Sequence, residues 1–513
     1  VKVRRCGESA LLIETDEVLG WYAALTARPL PGVVDLVPAA RTLLVRYESD
    51  VDFDAVVSRL SDVTPVASAA ESGEPVTIPV RYDGEDLADV ATATGMSADE
   101  VVSVHTGPEY TVAFTGFAPG FGYLTGLDDR LRLPRRESPR TRVPAGAVAV
   151  AGEFTGVYPR PSPGGWHLLG HTTAPLWDTT REPPAMLRPG TRVRFEAVAS
   201  LPEVPDRSAP VPVVEHGIEV IRCGPSGTVQ DTGRPGWASL GVGTSGAADA
   251  ASAALANRLV GNAREAAVVE LSFGATLAFR ETARVAVTGA LCAVSRDGRG
   301  EGMNAPFTVR AGQQLVVGPA SVGLRAYVAV RGGIAVEATL GSRSTDVLSG
   351  LGPPPLAAGA VLPIGGAHSG PPPSVEVAPV PAPSADELVV RVVPGPRDDW
   401  FTEDALTTLI TASYTVTADS NRVGVRLDGP ALARARDGEL PSEGMVTGSV
   451  QVPSGGKPIV FLADHPVTGG YPVIGVVVEA DLPVLAQARP GQAVRFRRCG
   501  TPRRSGARSR PGT

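Results

Sequence analysis

At 513 residues the chain is long enough for three or four domains, each with a core of its own. Its 59 Gly and 48 Pro against 5% aromatic residues describe many short strands joined by turns and exclude an architecture of long helices. A net charge of −7 gives no overall pull toward nucleic acid or an anionic membrane, and no apolar run approaches the ~18 residues of a membrane span.

The first residues turn acidic at Glu8 before an apolar signal-peptide core can form, so a cytoplasmic location is expected. Cys6, Cys223, Cys292 and Cys499 stand far apart with no C-x-x-C, which argues against zinc and against a disulfide framework. Residues 1–75 alternate strands and short helices: a strand at Leu11-Leu12-Ile13, a helix over 17–28, strands over 33–37 and 42–47, and a helix over 53–60. That order describes a small α+β layer. A second unit, 76–198, opens with a strand over 76–82. Two helices follow, the later one announced by the capping box Ser97-x-x-Glu100, and then short strands. A Pro-rich linker is expected over 199–217 and a β-rich unit over 218–385, with one helix from about Asp249 to Leu259 stopped by Gly261-Asn262. A second β module occupies 386–498 after a short helix over 398–410. The Arg-rich tail, 499–513, has the composition of disorder, and it is not read as a nucleic-acid arm.

One module is used twice. Ser162-Pro163-Gly164-Gly165-Trp166-His167-Leu168-Leu169-Gly170 is echoed by Thr468-Gly469-Gly470-Tyr471-Pro472-Val473-Ile474-Gly475. Upstream, residues 146–150 answer 448–452, which include Gln451; downstream, Arg188-Pro189-Gly190 answers Arg489-Pro490-Gly491. Three collinear matches argue for a repeated β unit.

Several motif readings fail. Gly241-x-Gly243-x-x-Gly246 lacks the preceding apolar strand of a dinucleotide fold, because Gly233-Arg234-Pro235-Gly236 stands there. Thr244, Ser245 and Gly246 are still expected at a helix N-terminus, where free N–H groups favour an anion. Gly455-Gly456-Lys457 is hairpin chemistry and no serine elbow is present, so acyl-enzyme hydrolysis has no support. What remains are charged groups beside glycine turns. Asp231, Arg234, Glu443 and Asp464 are the catalytic candidates, since acids can hold Mg²⁺ and a guanidinium can neutralise a transferring phosphoryl group. Thr244, Ser245, Gly246, Gly164, Gly165, Gln451, Lys457, Gly469, Gly470 and Tyr471 are the expected substrate- or phosphate-binding positions around one shared cleft.

Gly116-Phe117-Ala118-Pro119-Gly120-Phe121-Gly122-Tyr123-Leu124, Val143–Gly146 and Tyr158–Trp166 resemble the KipI family, also called allophanate hydrolase subunit 1 or the B subunit of 5-oxoprolinase. Thr228–Gly236, Gly341-Ser342-Arg343-Ser344-Thr345 and Thr468–Pro472 resemble its partner family, KipA or the C subunit of 5-oxoprolinase. The chain therefore resembles the two proteins fused. The resemblance implies a mainly β fold of repeated cyclophilin-like β-barrels behind a small N-terminal α+β domain. It also implies ATP-dependent opening of 5-oxoproline to glutamate, with Mg²⁺ and a separate partner, the A component of 5-oxoprolinase, from the LamB/YcsF family. A homo-oligomer is compatible with it. Two departures stand out. His465-Pro466 replaces a customary Arg-Gln before the second Gly-Gly, and His171 and Glu153-Phe154 replace a customary Arg and Arg-Gln in the first half. Two alternatives follow from the same resemblance: the carboxyltransferase part of a biotin-dependent urea carboxylase, and an inhibitor of a sensor histidine kinase. No Met is followed by Lys, so biotin would ride on another protein.

Overall fold

The computed structural model describes residues 1–66, 74–202, 216–366, 368, 370, 371, 373, 374 and 376–500. Most of the expected linker and nearly all of the basic tail lie outside the described residues.

The first sixty residues form a four-stranded antiparallel sheet in the order Lys2–Arg5, Ala10–Glu14, Thr42–Tyr47, Val33–Pro38. Leu11-Leu12-Ile13 is an unbroken apolar run because the strand is covered on both faces. Leu11 and Ile13 pack against Trp21 and Leu25 of helix Val18–Ala27 and against Val56 and Leu60 of helix Phe53–Leu60. The second helix starts where Asp52 accepts hydrogen bonds from the Asp54 and Ala55 N–H groups. Ala10, Leu12, Val37 and Leu44, on the opposite face, pack against Met445, Phe461 and Val476 near the other end of the chain. The N-terminal layer is thus docked on the last barrel.

That barrel and its counterpart show what the sequence repeat is for. Seven strands of the first module run in the order His167–His171, Ala147–Ala151, Phe154–Val157, Gly122–Thr125, Tyr110–Thr115, Arg192–Ala197, Val76–Val80. An isolated bridge between Arg81 and His171 joins the two edges. In the second module the strands Leu388–Pro394, Val473–Val477, Ser449–Gln451, Ile459–Phe461, Gly424–Asp428, Ser413–Val416 and Ala493–Arg498 close completely. Both modules pair their first and last strands in parallel, Val193 opposite Val76 and Val494 opposite Leu388. Both carry a two-stranded satellite ribbon before the Gly-Gly turn, Arg140–Val143 with Ser162–Gly164 and Glu443–Gly444 with Thr468–Gly469. The closing glycines of the motif sit at the barrel seams. A Cβ on Gly170 would overlap the Arg81 carbonyl, and one on Gly475 would overlap Val392.

Between the barrels, residues 216–366 build a nine-stranded sheet around Val220, Leu271, Leu277, Val287 and Val328. Its helix, Ala250–Val260, is capped by Asp249, which accepts from the Ser252 N–H at 2.9 Å, and stopped by Gly261 at φ 77°. Two sequence expectations are corrected here. The helix starts six residues after Thr244, so Thr244–Gly246 belong to a loop and not to a helix N-terminus. The helix expected over 398–410 is a 3₁₀ turn, Asp398–Trp400, and a separate helix, Glu403–Thr411, because Phe401 is extended and Thr402 caps the second piece.

His105 shows how tightly the first barrel is packed. It is fully buried between the Tyr82 hydroxyl (2.7 Å) and Thr155 Oγ1 (2.8 Å), and burial pushes its imidazole down to about 3. Between pH 6.5 and 3 the unfolded chain therefore binds a proton that the folded chain refuses, so stability falls as pH falls through that window. His105→Gln is expected to lose this contribution. From pH 7 to pH 5 the unfolding free energy of the parent should drop by about 2 kcal/mol more than that of the variant, as read by urea denaturation.

Candidate active site

The loop 231–246 is held by its own acid. Asp231 Oδ1 accepts from the Ser342 and Ser344 hydroxyls, each at 2.6 Å, and from the Gly233 N–H at 2.8 Å; Oδ2 accepts from the Arg343 N–H at 2.6 Å. The Arg234 N–H to Thr244 carbonyl bond (2.8 Å) and the Ala247 N–H to Asp231 carbonyl bond (2.9 Å) fold the loop back on itself. Gly233 and Gly246 have φ of 83° and 95°, and a Cβ on Gly233 would overlap the Thr244 carbonyl, so glycine is required there.

Behind this loop lies a buried charge network centred on Arg422 of the last barrel. Its guanidinium holds Asp464 through two bonds of 2.9 Å, Glu270 Oε1 at 2.5 Å and the Gly246 carbonyl at 2.6 Å. Asp464 also accepts from Ser245 Oγ at 2.7 Å and the Val347 N–H at 3.1 Å. Glu270 accepts from the Tyr327 hydroxyl at 2.9 Å and the Ala248 N–H at 3.0 Å. Burial alone would raise the Glu270 carboxyl, but the Arg422 and Arg325 charges outweigh it and leave it below the usual carboxylate range. Next to the network, burial and then the Asp464 charge push Asp346 up, although Ser349 and the N–H groups of residues 348 and 349 bond its carboxylate.

In front of the loop opens a cavity of about 1020 Å³. Four parts line it: the N-terminal layer (Arg5, Asp35, Arg46), the loop (Asp231, Thr244, Ser245), the helix Ala250–Val260 with the chain after it (Ala254, Asn257, Arg264) and the last barrel (Met445, His465). Arg46 pairs with buried Asp35, which also accepts from the Ala238 N–H at 3.3 Å, tying the N-terminal layer to the loop. His465 is buried with Nδ1 2.8 Å from the Pro466 carbonyl, and burial holds its imidazole below the ordinary value.

The expected site residues divide accordingly. Asp231, Thr244, Ser245 and Gly246 are on the cavity wall, and Asp464 is one hydrogen bond behind it. Arg234 is not on that wall; it is buried, and one Nη bonds the Ser344 carbonyl. Glu443 sits in the satellite ribbon, bonded by Arg397, which also holds Glu14 of the N-terminal layer. Gln451 is buried against Met445 and the Tyr471 carbonyl, where it leaves no room for a Cβ on Gly469. Gly164 packs on the Tyr158 hydroxyl, Gly165 lies near Pro139, Lys457 pairs with Asp428 at a hairpin, and Gly470 and Tyr471 stand outside the cavity. One shared cleft for all fourteen positions is therefore wrong. The acids are also not free for metal: Asp231, Glu443 and Asp464 have their carboxylates committed, and no group of three or more potential metal ligands exists among the described residues. Arg422, Glu270, Arg397, Asp346 and the Asp35–Arg46 pair were not singled out by sequence. In a chain where 45 of 47 Lys and Arg are Arg, nothing local marks a buried one.

The motifs from the two halves do meet. Thr115 Oγ1 donates to the Ser239 carbonyl at 2.5 Å, the Gly120 N–H donates to the Leu240 carbonyl at 3.0 Å, and Gly116 is pressed against Thr468. This arrangement of two related β-barrels around a mixed polar junction is that of a known domain class. Residues 1–187 match the family described as "Carboxyltransferase domain, subdomain C and D", and residues 240–498 match "Carboxyltransferase domain, subdomain A and B". The chain belongs to this carboxyltransferase-domain family, with both subdomain pairs in one polypeptide. The C subunit of 5-oxoprolinase from Escherichia coli K12 is 37% identical over 290 residues, 55% of this chain and 91% of that protein. The B subunit of 5-oxoprolinase from Escherichia coli O157:H7 is 40% identical over 202 residues, 37% of this chain and 92% of that protein. The crystal structure of TTHA0988 superposes with a TM-score of 0.85 at 37% identity, covering 96% of this chain and 100% of that one. These relatives from Escherichia coli are enzyme components, and this chain joins counterparts of B and C in that order. Among the described residues no helix is long and apolar enough to cross a membrane.

Removing Arg422 would leave Asp464 buried without a cation and Glu270 with only the more distant Arg325, at 3.5 Å. Arg422→Met is expected to cost about 3–5 kcal/mol of stability by urea denaturation, far more than Arg495→Met at the exposed Glu387 pair.

Proposed function

We propose that the chain is the activating component of an ATP-dependent 5-oxoprolinase and works with a separate protein of the LamB/YcsF type, the counterpart of the enzyme's A component. The observation that carries this reading is that counterparts of the B and C components, each matched over nine-tenths of its own length, jointly wall one cavity. In the proposed chemistry the lactam oxygen attacks the γ-phosphorus of ATP; the new O–P bond replaces the bridging P–O bond and ADP leaves. The ring carbon is then electrophilic. Water adds to it, the ring C–N bond breaks with the proton going to nitrogen, and γ-glutamyl phosphate results. A second water releases phosphate and leaves glutamate.

The chain's part is to hold phosphates and fix the lactam. The Thr244 hydroxyl, Arg46, Arg5 and Arg264 are groups on the cavity wall suited to phosphoryl oxygens. Asp231, Ser245 and Asp464 are read as the frame that fixes the loop. Since the acids do not fit a protein-built Mg²⁺ site, no step is assigned to one. A second reading, carboxyl transfer from a biotin carrier to urea, has the family's own description in its favour.

The test is ADP release by the chain mixed with the LamB/YcsF-type partner. 5-Oxoproline is expected to stimulate it, and Thr244→Val to raise the KM for ATP about tenfold, the loss of one phosphate hydrogen bond. Stimulation by urea with a biotin carrier, and none by 5-oxoproline, would move the assignment to the second reading.

A further inference from the structure

Among the described residues Arg160 and Arg234, both outside the cavity, have no carboxylate partner. Arg234, only 1% exposed, comes from the loop of the second half, and its Nη1 is buried with no hydrogen-bond acceptor. Arg160 comes from the first barrel, between the Tyr158 and Trp166 ends of its motif, and its Nε is likewise buried without an acceptor. Neither takes part in a salt bridge among the described residues. Both reach the same segment, 344–352. Arg234 bonds the Ser344 carbonyl and Arg160 bonds the Leu348 carbonyl. A Cβ on Gly350 would lie 3.0 Å from Arg160 Nη1, and one on Gly352 would lie 3.2 Å from Arg234 Nη2. Both glycines have positive φ, 69° and 80°, so the segment is bent against the two guanidiniums.

The neighbouring charges do not consume them. Asp346 is the acid both arginines feel, yet its carboxylate is bonded by Ser349 and by backbone N–H groups. Asp231 and Asp464, the other acids near Arg234, are committed as described. Burial lowers both guanidiniums from their ordinary values, the direction of cations short of compensation. A buried guanidinium with an unmet N–H is costly, and an oxyanion with two acceptor atoms is the group that relieves it. The segment over them borders solvent, with Val347 and Gly350 exposed beside the buried Ser349.

We propose that Arg160 and Arg234 form an oxyanion-binding site between the two halves, separate from the cavity, that takes the carboxylate of a small acid or a phosphoryl group. The site needs one residue from each half, so it exists only where the B-like and C-like parts are docked. It goes beyond the proposed function: an unrelated small acid would fit it equally.

Isothermal titration of the full chain with 5-oxoproline, acetate and inorganic phosphate in separate arms tests it. Saturable binding of at least one anion, weakened tenfold or more in both Arg160→Gln and Arg234→Lys, is the expected result, and the arm that binds names the source. Arg160 is the less buried of the two, so Arg160→Gln with unchanged circular dichroism keeps the test interpretable if the Arg234 variant misfolds. No saturable binding in any arm, or equal affinity in parent and Arg160→Gln, would overturn the proposal. ADP release under 5-oxoproline, measured on the same parent protein, reports on the enzymatic reading independently.

Discussion

A single guanidinium stitches the last barrel to the central sheet. Among the described residues Arg422 is the only cation bonded to Asp464 and the closest to Glu270, and it also holds the Gly246 carbonyl of the cavity loop. All three charged groups are withdrawn from water, so the attraction between them acts with little screening and the cost of losing one member is high. The loop 231–246 is positioned from two sides, by Asp231 acting on Ser342 and Ser344 and by Arg422 and Asp464 acting on Gly246 and Ser245. The cavity wall inherits its shape from that arrangement.

The second constraint is the way the halves interlock. The N-terminal layer packs on the C-terminal barrel through Leu12, Leu44, Met445 and Val476, and Arg397 spans Glu443 and Glu14 across the same contact. The first barrel meets the loop after residue 238 and the satellite ribbon near Thr468. Joining the two parts in one chain raises their effective concentration for this docking, which separate proteins reach only by association. The cavity owes its walls to that docking.

Much of this was legible from local chemistry. The Ser97–Glu100 box marks a helix start because it satisfies free N–H groups, and the structure contains it. The repeat was legible because barrel closure requires glycine where strands cross, at Gly170 and Gly475. Leu11-Leu12-Ile13 was legible as a strand, but its burial on both faces and the partners that cover them were not. Sequence also ranked acids beside glycine turns as catalytic. In the structure Asp231 is a clamp, because a carboxylate next to a tight turn is the nearest acceptor for the N–H and hydroxyl groups that the turn exposes, and Glu443 is held by the Arg397 guanidinium. Arg422 was invisible, since its partners lie 42 and 152 residues away.

The central claim is that the cavity between the N-terminal layer, the 231–246 loop and the last barrel receives a nucleotide's phosphates. A crystal structure of the chain soaked with a non-hydrolysable ATP analogue tests it directly. The account predicts phosphoryl oxygens within hydrogen-bond distance of Thr244 and beside Arg46. Density for the analogue on any other surface, with the cavity holding solvent alone, would contradict it.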